Sequence, residues 1–152
     1  MSKINWKDKC WVTTIFLVDK NKRVLFNWNK NMQAWIPVGG HIDNGESPMQ
    51  AIRREVEEEA GINFELYGDF DREDNGRVEV VKMCRFQIEA VPHHGSHMNF
   101  VFFGKALSEL ERTETDEKEK FRWFSKKELI NEKVMLNSVR KVALRAIDVV
   151  KF

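Results

Sequence analysis

Hydrophobic and polar positions along this chain change period several times, and each change marks an element. Trp11 to Val18 is a β-branched and aromatic run that predicts a strand. Asp19-Lys20-Asn21-Lys22 is a polar turn, and Val24 to Asn29 predicts a second strand, so the two make a hairpin. Residues 1–10 read as a polar arm. Trp35 to Val38 reads as a short extended piece, because Pro37 disfavours a helical Ile36. It feeds a glycine-containing loop. The period then becomes helical: Met49, Ile52, Val56 and Ala60 share one narrow arc, which must face a core. Ser47 is a good N-cap, Pro48 fits the first helical position, Gln50 completes a capping box and Gly61 supplies the stop. This predicts a helix from Pro48 to Ala60.

Downstream, Phe64 to Asp69 predicts a strand, and residues 71–76 a polar turn. Val78 to Val91 alternates along its length, with only Lys82 out of pattern, and predicts one long strand. Residues 92–97 read as a loop, Met98 to Leu107 as a strongly apolar strand, and residues 108–120 as a charged loop. Phe121 to Phe124 is a short strand. Ser125 and Glu128 form a second capping box, which opens a short helix through Ile130. Asn137 is expected to cap a last helix, with Val139, Val142, Ala143, Ala146, Ile147 and Val150 inward. Strands and helices so mixed predict an α/β domain over residues 1–152.

Composition narrows the class. The chain has 152 residues, 42% hydrophobic and 32% charged, and a net charge of +1, so bulk attraction to nucleic acid or membrane is not expected. No apolar run is long enough to span a membrane and no signal-peptide core is evident, which predicts a cytoplasmic protein. Cys10 and Cys84 lack metal-ligand spacing and read as reduced thiols.

The first helix carries candidate chemistry. Glu55, Glu58 and Glu59 stand at i, i+3 and i+4 and form one patch, while Glu57 points elsewhere. Carboxylates held together repel one another unless a positive group sits among them. Oxygen ligands suit a hard cation such as Mg²⁺ or Mn²⁺. On the triplet alone the simpler reading is a solvated helix edge neutralised by Arg53, Arg54 or lysines.

The surrounding spacing decides for the metal. Gly40, Glu46, Arg54-Glu55-Val56, Glu58-Glu59 and Gly61-Ile62 resemble the signature of the Nudix hydrolases at every defined position. Seven fixed residues and two aliphatic ones coincide, which by chance is on the order of 10⁻⁷ or less. The resemblance implies a Nudix-type α/β/α sandwich with a mixed central sheet. It implies Mg²⁺-dependent hydrolysis of a nucleoside diphosphate linked to another moiety: a nucleoside triphosphate, an ADP-ribose-like compound or a dinucleoside polyphosphate. Glu55, Glu58 and Glu59 match the family's metal-binding and base-supplying glutamates, with Glu58 ligand or base. The carbonyl of Gly39 matches a backbone ligand, Arg54 an orienting arginine, and Glu46 a loop support. Gly40, Glu46 and Gly61 are the structural positions of the motif.

A further base outside the motif is sought in the loop before Trp123, among Glu114, Glu117 and Glu119. Glu117 is preferred because similar loops in the family place an acid near that position. Trp28 is a candidate to stack on a base, Lys30 to contact phosphate and His97 to touch substrate; each is otherwise core or solvated surface. His93, His94 and His97 lack a fourth ligand, so a surface turn is favoured over a zinc centre. The expected partner is a small nucleotide rather than nucleic acid. Many family members form homodimers, though nothing in this sequence marks an interface. A reading from another class remains: a Nudix-type module that senses a nucleotide without hydrolysing it. Retention of all three glutamates weighs against it.

Overall fold

The computed structural model describes residues 4–68, 72–92, 94–110 and 120–152. The elements run β1 (Lys9–Val18), β2 (Arg23–Asn29), β3 (Ala34–Ile36), β4 (Val38–His41), α1 (Pro48–Glu59), β5 (Phe64–Leu66), β6 (Arg72–Glu73), β7 (Val78–Glu79), β8 (Arg85–Val91), β9 (Gly95–Ala106), β10 (Phe121–Ser125), α2 (Lys126–Asn131) and α3 (Asn137–Val149). The main sheet follows the order β10-β2-β1-β9-β5, with β3 on β2, β4 on β1 and β8 on β9. The long β1–β9 pairing is parallel and its other pairings are antiparallel, so the sheet is mixed.

β1 and β9 lie at its centre and bury side chains on both faces, which is why their sequences are apolar without a clean alternation. Ile15, Leu17 and Phe102 pack with Ile52 and Val56 of α1. Phe16, Val18 and Phe103 pack with Val142 and Ala146 of α3. Helices therefore cover both faces, as the α/β sandwich requires. The β1–β2 turn is tied by Asp19, which accepts from the backbone N–H groups of Asn21 and Arg23 and from the Arg23 guanidinium.

Several expectations are corrected. The Gly39-Gly40 stretch is not loop: it belongs to β4, paired with Thr14 and Thr13 of β1. β1 begins two residues before the expected Trp11, at Lys9. The expected strand from Phe64 ends at Leu66. The run from Val78 to Val91 is two strands. β7 pairs with β6 across a tight turn at Asp74–Gly76, and the chain joins β9 only at Arg85. Lys82, out of pattern in the sequence, sits in that break. β9 starts at Gly95, inside the expected loop, because β1 supplies a parallel partner from Lys9 onward. α1 ends at Glu59, with Ala60 as its C-cap. α2 ends one residue beyond Ile130. Leu136, not Asn137, is the N-cap of α3; the Asn137 side chain instead accepts from Arg140 Nη1 at 3.0 Å. Both cysteines are free. Among the described residues, no helix is long and apolar enough to cross a membrane.

Candidate active site

The start of α1 sets the phase of everything it carries. Ser47 Oγ accepts from the Gln50 N–H at 3.2 Å, and Gln50 Oε1 accepts from the Ser47 N–H at 2.9 Å. Pro48 follows the cap. With the helix so begun, Met49, Ile52 and Val56 bury against the sheet while Glu55, Glu58 and Glu59 fall along its neighbouring side. Ser47→Ala is expected to cost about 1 kcal/mol of stability, read from urea unfolding.

β4 is the strand against which these carboxylates sit. A Cβ on Gly40 would collide with the Glu55 carboxylate, and one on Gly39 would collide with the Thr13 carbonyl. Glycine at 39 thus permits the close pairing with β1, and glycine at 40 leaves the Glu55 carboxylate its place over the strand. Gly45 sits at φ 86° in the loop between them, a left-handed conformation that also favours glycine.

Glu59 is the most perturbed group of the site. Burial comes first among the causes that push its carboxyl up to about 7, and the neighbouring Glu55 and Glu58 charges add to it. The Gly39 backbone N–H pulls the other way, and the Glu55 carboxylate lies within hydrogen-bonding range. Glu59 Oε2 is buried and has no hydrogen-bond partner among the described residues. A buried, unpaired carboxylate oxygen facing like charges is costly in a protein alone and is what a cation corrects. Oxygen donors on Glu55, Glu59 and the Gly39 carbonyl fit a hard divalent ion.

This predicts a pH dependence. The folded-state pKa of Glu59 lies above its ordinary value. Such a group stabilises the fold fully below its ordinary pKa and loses that contribution as pH rises through the folded value. In EDTA, the thermal midpoint is therefore expected to fall between about pH 5 and about pH 8, and Glu59→Gln to flatten that fall.

Arg54 organises the rest. Its Nε and Nη2 grip Glu46 as a fork at 2.8 and 2.9 Å. Nη1 donates to Glu55 Oε1 at 2.9 Å and to Glu58 Oε2 at 3.2 Å. Nη2 also donates to the His41 carbonyl at 3.0 Å and lies 3.4 Å from Asp43 Oδ2. The Arg54 fork, with the Asp43 backbone N–H, holds the Glu46 carboxyl below its usual range. Glu46 Oε1 accepts from that Asp43 N–H at 2.8 Å, which closes the loop before α1. Glu58 is turned onto Arg54 and is mostly exposed, so Glu55 and Glu59 form the close pair.

Among the described residues, the other sequence candidates make no hydrogen bond, ion pair or ring contact with Glu55, Glu58, Glu59 or Arg54. Trp28 stacks edge-on against Trp35, their ring centres 5.2 Å apart, and Trp35 in turn packs on Phe124. Lys30 is exposed in the turn after β2. His97 sits on β9 with Nδ1 3.7 Å from Glu89 Oε1; burial holds its imidazole pKa below the usual value. Gly61, at φ 62°, closes α1. Glu114, Glu117, Glu119 and His93 lie outside the described residues. Sequence reasoning missed the His41 carbonyl and Asp43. A backbone oxygen leaves no trace in the residue pattern, and Asp43 reads only as a loop acid.

Comparison with known proteins bears on the family and the fold. A family model described as NUDIX domain matches residues 9–146. A solved hydrolase of the NUDIX family from Clostridium perfringens superimposes with a TM-score of 0.82 and 28% identity, covering 93% of this chain and 97% of that one. The E. coli dihydroneopterin triphosphate pyrophosphohydrolase shares the fold at a TM-score of 0.62 and 16% identity, covering 96% of this chain and 99% of that one. An RNA pyrophosphohydrolase of Francisella tularensis subsp. mediasiatica is 43% identical over 49 residues, which is 32% of this chain and 31% of that protein. An 8-oxo-dGTP diphosphatase of Haemophilus influenzae is 55% identical over 38 residues, 23% of this chain and 28% of that protein. The aligned segments thus span under a third of each of these two curated relatives. By the match over residues 9–146, the chain belongs to the NUDIX domain family.

Proposed function

We propose that this protein is a Mg²⁺-dependent pyrophosphohydrolase, with Mn²⁺ as an alternative ion, acting on a nucleoside diphosphate linked to another moiety. The observation that carries the reading is the buried, unpaired Glu59 Oε2 beside the Glu55 carboxylate and the Gly39 backbone. Glu55, Glu59 and the Gly39 carbonyl would hold the ion, with Glu58 at its edge. When bound, the ion supplies positive charge that neutralises the anhydride oxygens and acidifies water. Arg54 fixes the Glu55 and Glu58 carboxylates and leaves neither free to swing. Glu58 takes the proton of the water that attacks phosphorus, with Glu117 the candidate from outside the motif. The bridging P–O bond breaks and its electron pair leaves with the departing phosphate. Trp28 and Lys30 are the proposed contacts for the attached moiety. A net charge of +1 favours a small nucleotide over RNA as substrate. Two free cysteines suit the reducing cytoplasm.

The test is a panel of nucleoside triphosphates, ADP-ribose-like compounds and dinucleoside polyphosphates, incubated with Mg²⁺ or with EDTA and resolved by chromatography. Cleavage of at least one member with Mg²⁺ and of none with EDTA is expected. If no member is cleaved while a nucleotide raises the thermal midpoint, the chain is a sensing module and the hydrolase reading fails.

A further inference from the structure

We infer that Cys10, His41 and His94, with His97 as fourth ligand, form a separate site for a soft divalent cation of the zinc class. The inference does not rest on the hydrolase reading. The three side chains come from β1, the end of β4 and the β8–β9 turn, and their ligand atoms all lie within 4.8 Å of one another. Cys10 Sγ and His94 Nε2 are 3.5 Å apart. In a tetrahedral zinc site, metal–sulfur and metal–nitrogen bond lengths place such a pair about 3.6 Å apart, so this edge is already at the required length.

His97 neighbours the two histidines but stands outside the close group of three ligand atoms. Its ring centre lies 5.2 Å from that of His94 and 5.5 Å from that of His41. Its Nε2 is buried without a hydrogen-bond partner among the described residues. Its Nδ1 faces Glu89 Oε1 at 3.7 Å, and Glu89 is itself held by Asn99 Nδ2 at 3.0 Å and by Gln87. A carboxylate behind one ring nitrogen, with the other left open, is how proteins orient a ligating histidine. Packing alone accounts for the Cys10–His94 contact but leaves the buried His97 nitrogen unpaired among the described residues; a cation that draws His97 inward accounts for both. His97, expected from the sequence to be a substrate contact, is in this inference a ligand.

Sulfur and imidazole donors select a different metal from the all-oxygen glutamate site, so the two sites do not compete for one ion. Strand register builds the cluster, pairing Cys10 with His97 and Val12 with His41. A bound ion would pin the β8–β9 turn to β1 and to the strand that carries Gly39.

The full-length chain, stripped of metal, is titrated with Co²⁺ and followed by optical absorption, with Zn²⁺ as competitor. Wild type is expected to develop tetrahedral ligand-field bands and a thiolate-to-cobalt charge-transfer band, which Zn²⁺ abolishes. Cobalt on carboxylates alone gives only weak octahedral absorption. Cys10→Ser is expected to remove the charge-transfer band, and Glu89→Gln to weaken Zn²⁺ binding about tenfold. Circular dichroism checks folding. Should Cys10→Ser not fold, His94→Ala is expected to weaken Co²⁺ binding by about tenfold or more. Absence of a thiolate band in wild type, its survival in Cys10→Ser, or unchanged binding in His94→Ala overturns the inference.

Discussion

Replacing Glu59 with glutamine is expected to lower kcat by about 10³-fold, with a much smaller change in KM. The substitution keeps the size of the side chain and its contact with the Gly39 N–H. It removes the charge whose buried oxygen has no partner among the described residues. It also brings an amide –NH₂ toward the Glu55 carboxylate, which would occupy that oxygen and leave less charge for a cation. The thermal midpoint of the metal-free variant is expected to be unchanged or raised near neutral pH, because one of three mutually repelling carboxylates is gone. Loss of activity with retained stability separates a functional role from a structural one. A variant that kept the wild-type kcat would place the chemistry elsewhere.

Arg54→Ala carries the second large effect. One guanidinium joins Glu46, Glu55, Glu58 and the His41 carbonyl. Without it the loop before α1 loses its anchor, and two carboxylates of the site lose the group that aims them. A misplacement of about 1 Å at such a site costs about 10²-fold in rate, and that fall in kcat is expected here. The thermal midpoint should fall as well, since Glu46, Glu55 and Glu58 are left together without their counter-charge. Arg54→Lys is expected to restore part of the stability and little of the activity, because an ammonium cannot make the Glu46 fork and reach Glu55 at once. Steady-state kinetics and thermal melts on both variants check this.

How legible the molecule was depends on how local each feature is. The helix at Pro48 to Glu59 could be read within a residue, because its caps, its apolar arc and its glycine stop all lie inside the segment. The motif placed Glu55, Glu58, Glu59, Arg54 and Glu46 near one another in advance. The fork from Arg54 to Glu46 spans a loop and needed the structure. Gly39 and Gly40 read as loop because glycine carries no pattern; they are strand because β1, far upstream in the sequence, pairs with them. Val78 to Val91 misled for the opposite reason, since its alternation is compatible with a strand throughout while its pairing partners differ on the two sides of Lys82.

The histidines make the same point about distance. The spacing of His93, His94 and His97 argued against zinc for want of a fourth ligand. Cys10 and His41 reach His94 only through the register of three strands, and Cys10 is 84 residues from His94 in sequence. No local pattern could have announced that meeting. The site carboxylates were legible because they share one helix; the thiol and imidazoles were not, because they share a sheet end.

The proposed chemistry requires that the Glu55–Glu59 pair hold a divalent cation. Electron paramagnetic resonance of free Mn²⁺, titrated against wild type and Glu59→Gln, measures this directly. Wild type is expected to deplete the free-ion signal, and Glu59→Gln to bind about tenfold more weakly or worse. Equal Mn²⁺ affinity in the two proteins, or no binding by wild type, would contradict it.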